Sequence, residues 1–118
     1  MTIEELQKIS LDLPGVTQDI KWEDHLCFNI GGKMFLVTSP DKVPPTASFK
    51  VPPEQFDELI ALEGFSPAQY LARYKWIYLK DIGIIGKLDW EKFILESYKL
   101  VASKLPLKVK RQLGISDI

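Results

Sequence analysis

The fold is decided by one stretch, His25-Leu26-Cys27-Phe28-Asn29-Ile30-Gly31-Gly32-Lys33-Met34-Phe35-Leu36-Val37-Thr38. From His25 to Ile30 the side chains alternate, with Leu26, Phe28 and Ile30 on one face of a strand and His25, Cys27 and Asn29 on the other. Gly31-Gly32 is a two-residue connection able to take the positive φ angles of a tight hairpin. Lys33 to Thr38 returns as the partner strand. A lone hairpin is marginal in water, so its apolar face demands further strands and a covering layer.

The flanking sequence supplies both. Upstream, Thr2 with Glu5 three residues later reads as a capping box, and Ile3, Leu6, Ile9 and Leu13 share a helical face until Leu13-Pro14-Gly15 stops it. A short strand is expected near Val16 to Trp22. Downstream, Pro40 to Pro45 is a loop, and Thr46 to Val51 alternates with Ala47, Phe49 and Val51 inward and Ser48 and Lys50 outward. Pro52-Pro53-Glu54 opens a second helix with the stripe Phe56, Leu59 and Ile60 and Gly64 as terminator. Ser66-Pro67 is expected to cap a third, shorter helix reaching about Arg73. Lys75 to Lys80 reads as a strand, with Ile77 and Leu79 facing one way and Trp76, Tyr78 and Lys80 the other. Asp89 is expected to cap the longest helix, carrying Trp90, Phe93, Ile94, Ser97, Val101 and Leu105 to Pro106, before a short basic turn ahead of Gly114. The expectation is an α+β fold: one domain over residues 1–118, a mainly antiparallel sheet with helices packed on it.

Composition agrees with that class. The chain has 118 residues, 46% hydrophobic and 26% charged, the balance of a globular domain large enough to need no covalent staple. Cys27 is the only cysteine, which excludes an internal disulfide and a cysteine metal cage. No apolar run approaches the roughly 20 residues of a membrane span. The acidic, helix-like N-terminus lacks the basic and apolar regions of a signal peptide, so a cytoplasmic domain with no membrane partner is expected. The net charge of −1 hides an asymmetry: residues 1–66 carry five Lys against eleven acids, and residues 67–118 carry ten Lys and Arg against five. Such a chain lacks the overall basic footprint of a dedicated nucleic-acid binder, and only a localised patch would supply one.

Catalytic and metal motifs are not found. His25 and Cys27 are the only Cys–His combination, with Cα atoms roughly 6.5–7 Å apart on one strand face. Asp24 is expected to point to the opposite face, leaving the base without an orienting group. A free cysteine and a packed histidine are the expectation. Glu4, Glu5 and Asp12 fall short of a convergent ligand set and suit a solvated helix face. Gly31-Gly32 and Gly83…Gly86 lack the spacing of a phosphate loop. A non-enzymatic protein without cofactor or metal is expected.

The more suggestive feature is a mixture of basic and aromatic residues. Arg73, Tyr74, Lys75, Trp76, Tyr78 and Lys80 lie within eight positions, the combination that single-stranded nucleic acid uses for stacking and charge neutralisation. Against it stands the ordinary use of strand aromatics as packing under a helix. Lys104, Lys108, Lys110 and Arg111 form a second basic cluster. Lys33, after the tight turn, and Lys50, outward beside Ser48, are expected to converge on one anion if their strands pair; the ordinary alternative is lysines protecting a sheet edge.

Several segments together resemble the MmcQ/YjbR family. They are Leu13-Pro14-Gly15-Val16 with Lys21-Trp22; His25-Leu26-Cys27-Phe28 and Gly31-Gly32-Lys33-Met34-Phe35; and Phe49-Lys50-Val51-Pro52-Pro53. Ser66-Pro67-Ala68-Gln69-Tyr70 with Trp76, and Glu96-Ser97-Tyr98, Val101 and Lys104-Leu105-Pro106, complete the set from roughly residue 3 to 107 in the family's order. The resemblance implies a frataxin-like (CyaY-like) fold with a "double wing" arrangement and a predicted DNA-binding role. The family-matching polar positions are Lys33, Lys50, Ser97, Tyr98 and Lys104, with Trp22 and Trp76 as aromatic companions.

Two readings follow. In the first, Lys33, Lys50, Arg73, Lys75, Trp76 and Lys104 contact DNA weakly and in a salt-sensitive way. In the second, the chain is a small-molecule or protein interaction module with a pocket between sheet and helices. There Trp22, Ser97 and Tyr98, with Trp76, Lys33 and Lys50, would meet an anionic ligand.

Overall fold

Thr2 starts the first helix: its Oγ1 accepts the N–H of Glu5 at 3.2 Å, and α1 runs Ile3–Leu11. The structure, a computed structural model, describes residues 1–118. Six strands follow the hydrophobic alternation: β1 (Val16–Lys21), β2 (His25–Ile30), β3 (Lys33–Ser39), β4 (Thr46–Lys50), β5 (Phe65–Pro67) and β6 (Trp76–Leu79). They form one fully antiparallel sheet in the order β1-β2-β3-β4-β6-β5.

The β2–β3 turn is the expected Gly-Gly hairpin. Gly31 and Gly32 have φ angles of 58° and 80°, and Ile30 pairs with Lys33 across them. Gly31 is needed for a second reason, because a Cβ there would lie 2.7 Å from the Cδ1 of Leu105. One residue further along, the register slips between Phe28 and Asn29, so Phe35 is an extra residue in β3. The slip turns Phe35 into the core, edge-on to Tyr98 at 5.6 Å.

The helices α2 (Pro53–Ile60), α3 (Lys87–Ala102) and α4 (Leu107–Gln112) join α1 in covering one face of this sheet. That face presents Phe28, Leu36, Phe49 and Ile77, all fully buried. Phe49 packs on Trp90 and Phe93 of α3 at 5.4 and 5.1 Å. The polar tips of two core aromatics are satisfied by main chain: Trp90 Nε1 donates to the Ile82 carbonyl at 2.9 Å and Tyr98 Oη to the Pro14 carbonyl at 2.7 Å.

Two expectations are corrected. Ser66-Pro67 caps no helix: it lies in the edge strand β5, since the residue before a proline favours extended backbone and an edge strand tolerates the missing N–H. A left-handed Tyr70 (φ 68°) then breaks any helix there, leaving a 3-10 turn at Ala72–Tyr74. Asp89 sits inside the first turn of α3 rather than at its cap, which is Gly86; its carboxylate there suits the helix dipole.

Candidate functional site

Because every helix packs on one side, the other side of the sheet carries a different set of side chains. Strand register lays them in a row, Asp19, Cys27, Val37, Ser48, Tyr78 and Ser66, from one edge of the sheet to the other. A groove of about 550 Å³ lies over the middle of this row. Its walls come from opposite edges: Trp22 from the β1–β2 turn and the segment Ala68–Leu71 that follows β5.

Both walls hold an aromatic residue in an unusual backbone conformation. Trp22 (φ 51°) is 63% exposed and Tyr70 (φ 68°) is 86% exposed. Neither is glycine, and a bulky residue in the left-handed region costs about 1 kcal/mol or more. Trp22 meets His25 edge-on at 5.6 Å. Asp24, expected to point away from His25, in fact brings Oδ1 within 2.8 Å of His25 Nδ1, at an angle that falls short of a hydrogen bond. The turn puts Asp24 outside the strand alternation, which is why the parity argument fails for it.

At the base lie Ser39 and Thr46, cross-strand partners only 6% and 5% exposed. Both residues line the groove, and their hydroxyls remain accessible to it. No Lys, Arg, Asp or Glu lines the groove.

Cys27 shares this sheet face but is fully buried, its thiol 3.7 Å from the His25 carbonyl. Burial pushes that thiol up, the reverse of an activated nucleophile. No group of three or more His, Cys, Asp and Glu side chains comes together. At the sheet edge Lys21 Nζ sits 2.8 Å from Asp19 Oδ2, and Asn29 Nδ2 donates to Asp19 Oδ1 at 2.8 Å.

The residues singled out in the sequence are dispersed. Of the expected pocket set, only Trp22 lines the groove; Ser97 and Tyr98 lie beyond the sheet, inside the core. The expected space between sheet and helices is filled by the large core side chains, so the cavity forms on the opposite face. Trp76 is 6% exposed and offers no stacking face to a base. Lys75 Nζ lies 4.9 Å from the Phe56 ring centre, and Arg73 lies 4.8 Å from that of Tyr74.

Lys33 and Lys50 with Ser48 do not form the expected trio. Ser48 and Lys50 share the open face, but Lys33 pairs with Ile30 on the other parity. Lys50 Nζ instead donates to the Tyr74 carbonyl at 2.6 Å. Burial, with the nearby Lys104 charge second, holds the Lys50 ammonium below its usual range. The Lys104 charge is thus felt at Lys50, while Lys33 stays exposed at the hairpin.

Ser39, Thr46 and Tyr70 were not singled out from the sequence. For the first two, a usable signal is polar residues at strand ends that share the parity of Val37 and Ser48; Tyr70's left-handed turn has none.

Two solved structures are similar. Deinococcus radiodurans protein DR2400, with a DUF419 domain, superposes with a TM-score of 0.87 at 24% identity, over 98% of this chain and 90% of that one. A protein from Pseudomonas syringae gives a TM-score of 0.70 at 20% identity, over 85% of this chain and 98% of that one. At these identities the likeness shows the fold. No curated protein matches. The YjbR family model matches residues 11–100, and the chain belongs to the YjbR family.

Proposed function

We propose that this YjbR-family chain is a non-enzymatic binding domain whose ligand site is the groove on the helix-free face of the sheet. The observation that carries this reading is a pair of hydroxyls, Ser39 and Thr46, on otherwise buried residues and open to a groove walled by exposed aromatics. Such hydroxyls are free to bond a ligand, and the groove's volume falls in the roughly 300–1,000 Å³ range of ligand sites. The non-enzymatic part is supported by the raised Cys27 thiol, which leaves the His25 imidazole in the lining without an activated thiol beside it.

The test is a thermal-shift screen of metabolites against the wild type and Ser48→Phe, which fills the groove floor. Compounds that stabilise the wild type and lose their effect in Ser48→Phe are the expected result. Compounds that stabilise both equally move the site elsewhere.

DNA binding is the second reading, favoured by Lys50 and Lys104, which sense each other's charge and have no salt-bridged carboxylate. In this reading the lysines position a phosphate backbone and the groove plays no part. Anisotropy with labelled single- and double-stranded DNA tests it, at about 20 mM and 150 mM salt. Binding that falls steeply with salt and is lost in Lys50→Glu and Lys104→Glu supports DNA; no binding at the lower salt removes it.

A further inference from the structure

We infer that the groove takes an uncharged, planar heteroaromatic ring, lying against Trp22 and Tyr70 with its polar edge on the Ser39 and Thr46 hydroxyls. The inference rests on the reading of the groove as the ligand site and adds the chemistry of its occupant.

Charge decides the first part. With no Lys, Arg, Asp or Glu in the lining and His25 its one ionisable imidazole, an ion entering the groove loses hydration and meets no permanent opposite charge. A phosphate or carboxylate ligand is thereby disfavoured, and the lysines at positions 50 and 104 do not help because neither lines the cavity.

The walls decide the second. Exposed indole and phenol rings are costly in water, and holding them at positive φ adds backbone strain. Both features make sense where two aromatic faces are kept available for a third. Ring stacking of this kind tolerates many ring identities but needs a flat partner. Met34, Val37 and Leu71 add apolar surface beneath.

The base decides the third. Ser39 and Thr46 are directly opposed across β3 and β4, which sets their Cβ atoms about 5 Å apart. Each hydroxyl both donates and accepts, so the pair matches a ring edge with a donor beside an acceptor, as in a lactam or a ring carboxamide. An aliphatic ligand would leave these two groups buried and unpaired, at the cost such groups carry.

The experiment is a two-dimensional ¹H–¹⁵N NMR titration of the full chain with nicotinamide and hypoxanthine. Nicotinate, adenosine monophosphate and cyclohexanol serve as charged and aliphatic comparators. The neutral rings are expected to shift the amides of Val37, Ser48 and Tyr78 saturably. Tyr70→Ala and Thr46→Val should each weaken that binding about tenfold, the size of one lost stacking or hydrogen-bond contact. Shifts at the same amides from cyclohexanol or the anions, but not from the neutral rings, overturn this inference and leave the groove as a ligand site. No shift at these amides from any probe also overturns it, and the Ser48→Phe screen then judges the groove separately. Amide shifts that follow protein concentration alone, with no probe added, assign the face to a second copy and overturn both.

Discussion

The side-chain oxygen of Ser97 accepts the backbone N–H of Lys50 at 3.0 Å and, in the same fully buried position, donates to the Phe35 carbonyl at 2.6 Å. Lys50 ends β4, and Phe35 is the extra residue in β3, so both main-chain groups lie where the regular ladder lapses. One hydroxyl from α3 satisfies both and ties the helix to two strands. Ser97→Ala leaves a donor and an acceptor buried without partners, a loss of about 3 kcal/mol. Urea unfolding should show a lower midpoint with an unchanged slope. Because Ser97 lies behind the sheet, the folded variant keeps its groove and any ligand affinity. A stable variant with weakened ligand binding would place Ser97 at the site after all.

That clamp explains why the fold was far more legible than the site. The Leu26, Phe28 and Ile30 alternation and the Gly31-Gly32 turn are local, and each specifies its own geometry from neighbouring residues. The period-2 pattern also identified Ala47, Phe49 and Val51 as inward, and all three are buried. What alternation cannot give is which face a helix covers and what reaches across. Ser97 and Tyr98 look like polar groups awaiting a ligand, yet their partners, Lys50, Phe35 and Pro14, lie 47, 62 and 84 residues away. Trp76 has the parity of the open face and is still buried. The groove itself depends on a left-handed turn at Tyr70, a conformation that no residue type at that position announces.

The positive φ angles at Trp22 and Glu23 predict that the β1–β2 turn is not optimised for stability. Glu23→Gly should relieve strain of about 1 kcal/mol, less some gain in unfolded-state entropy, and raise Tm by a few degrees at most. It should leave the groove intact, since Glu23 does not line it. Trp22→Gly relieves the same kind of strain but removes a wall. The expected contrast is two variants at least as stable as the wild type, of which only Trp22→Gly loses ligand binding. Destabilisation by both would mean that other contacts hold the turn and that strain is not the controlling factor.

The hairpin glycines should respond unequally to alanine. Gly31 and Gly32 both have positive φ, so each substitution carries a conformational cost of about 1 kcal/mol. At Gly32 the new methyl meets nothing within 4 Å. At Gly31 it meets Leu105 at 2.7 Å, and Leu105 belongs to the core and has little room to retreat. Gly31→Ala should therefore lie below Gly32→Ala by a further 1 kcal/mol or so in urea unfolding. Leu105→Ala in the Gly31→Ala background should recover part of the clash, a coupling that two independent sites would not show.

Asp19 gives the fold a defined acid sensitivity. Its hydrogen bond from Lys21, then that from Asn29, holds the carboxyl below its ordinary value of 3.8. A carboxylate with a lowered native pKa stabilises the fold above the unfolded value and loses that contribution as pH falls through the native one. The stability gap between the wild type and Asp19→Asn should thus be constant from pH 7 down to about 5 and close progressively below the ordinary value of 3.8. Salt should shrink the gap at pH 7, because the Asp19–Lys21 pair is open to solvent. Chemical unfolding of both proteins between pH 2 and 7, at low and high salt, measures all three features. A gap that widens on acidification would show that Asp19 is stabilised in its protonated form, and that the Lys21 contact does not govern its charge.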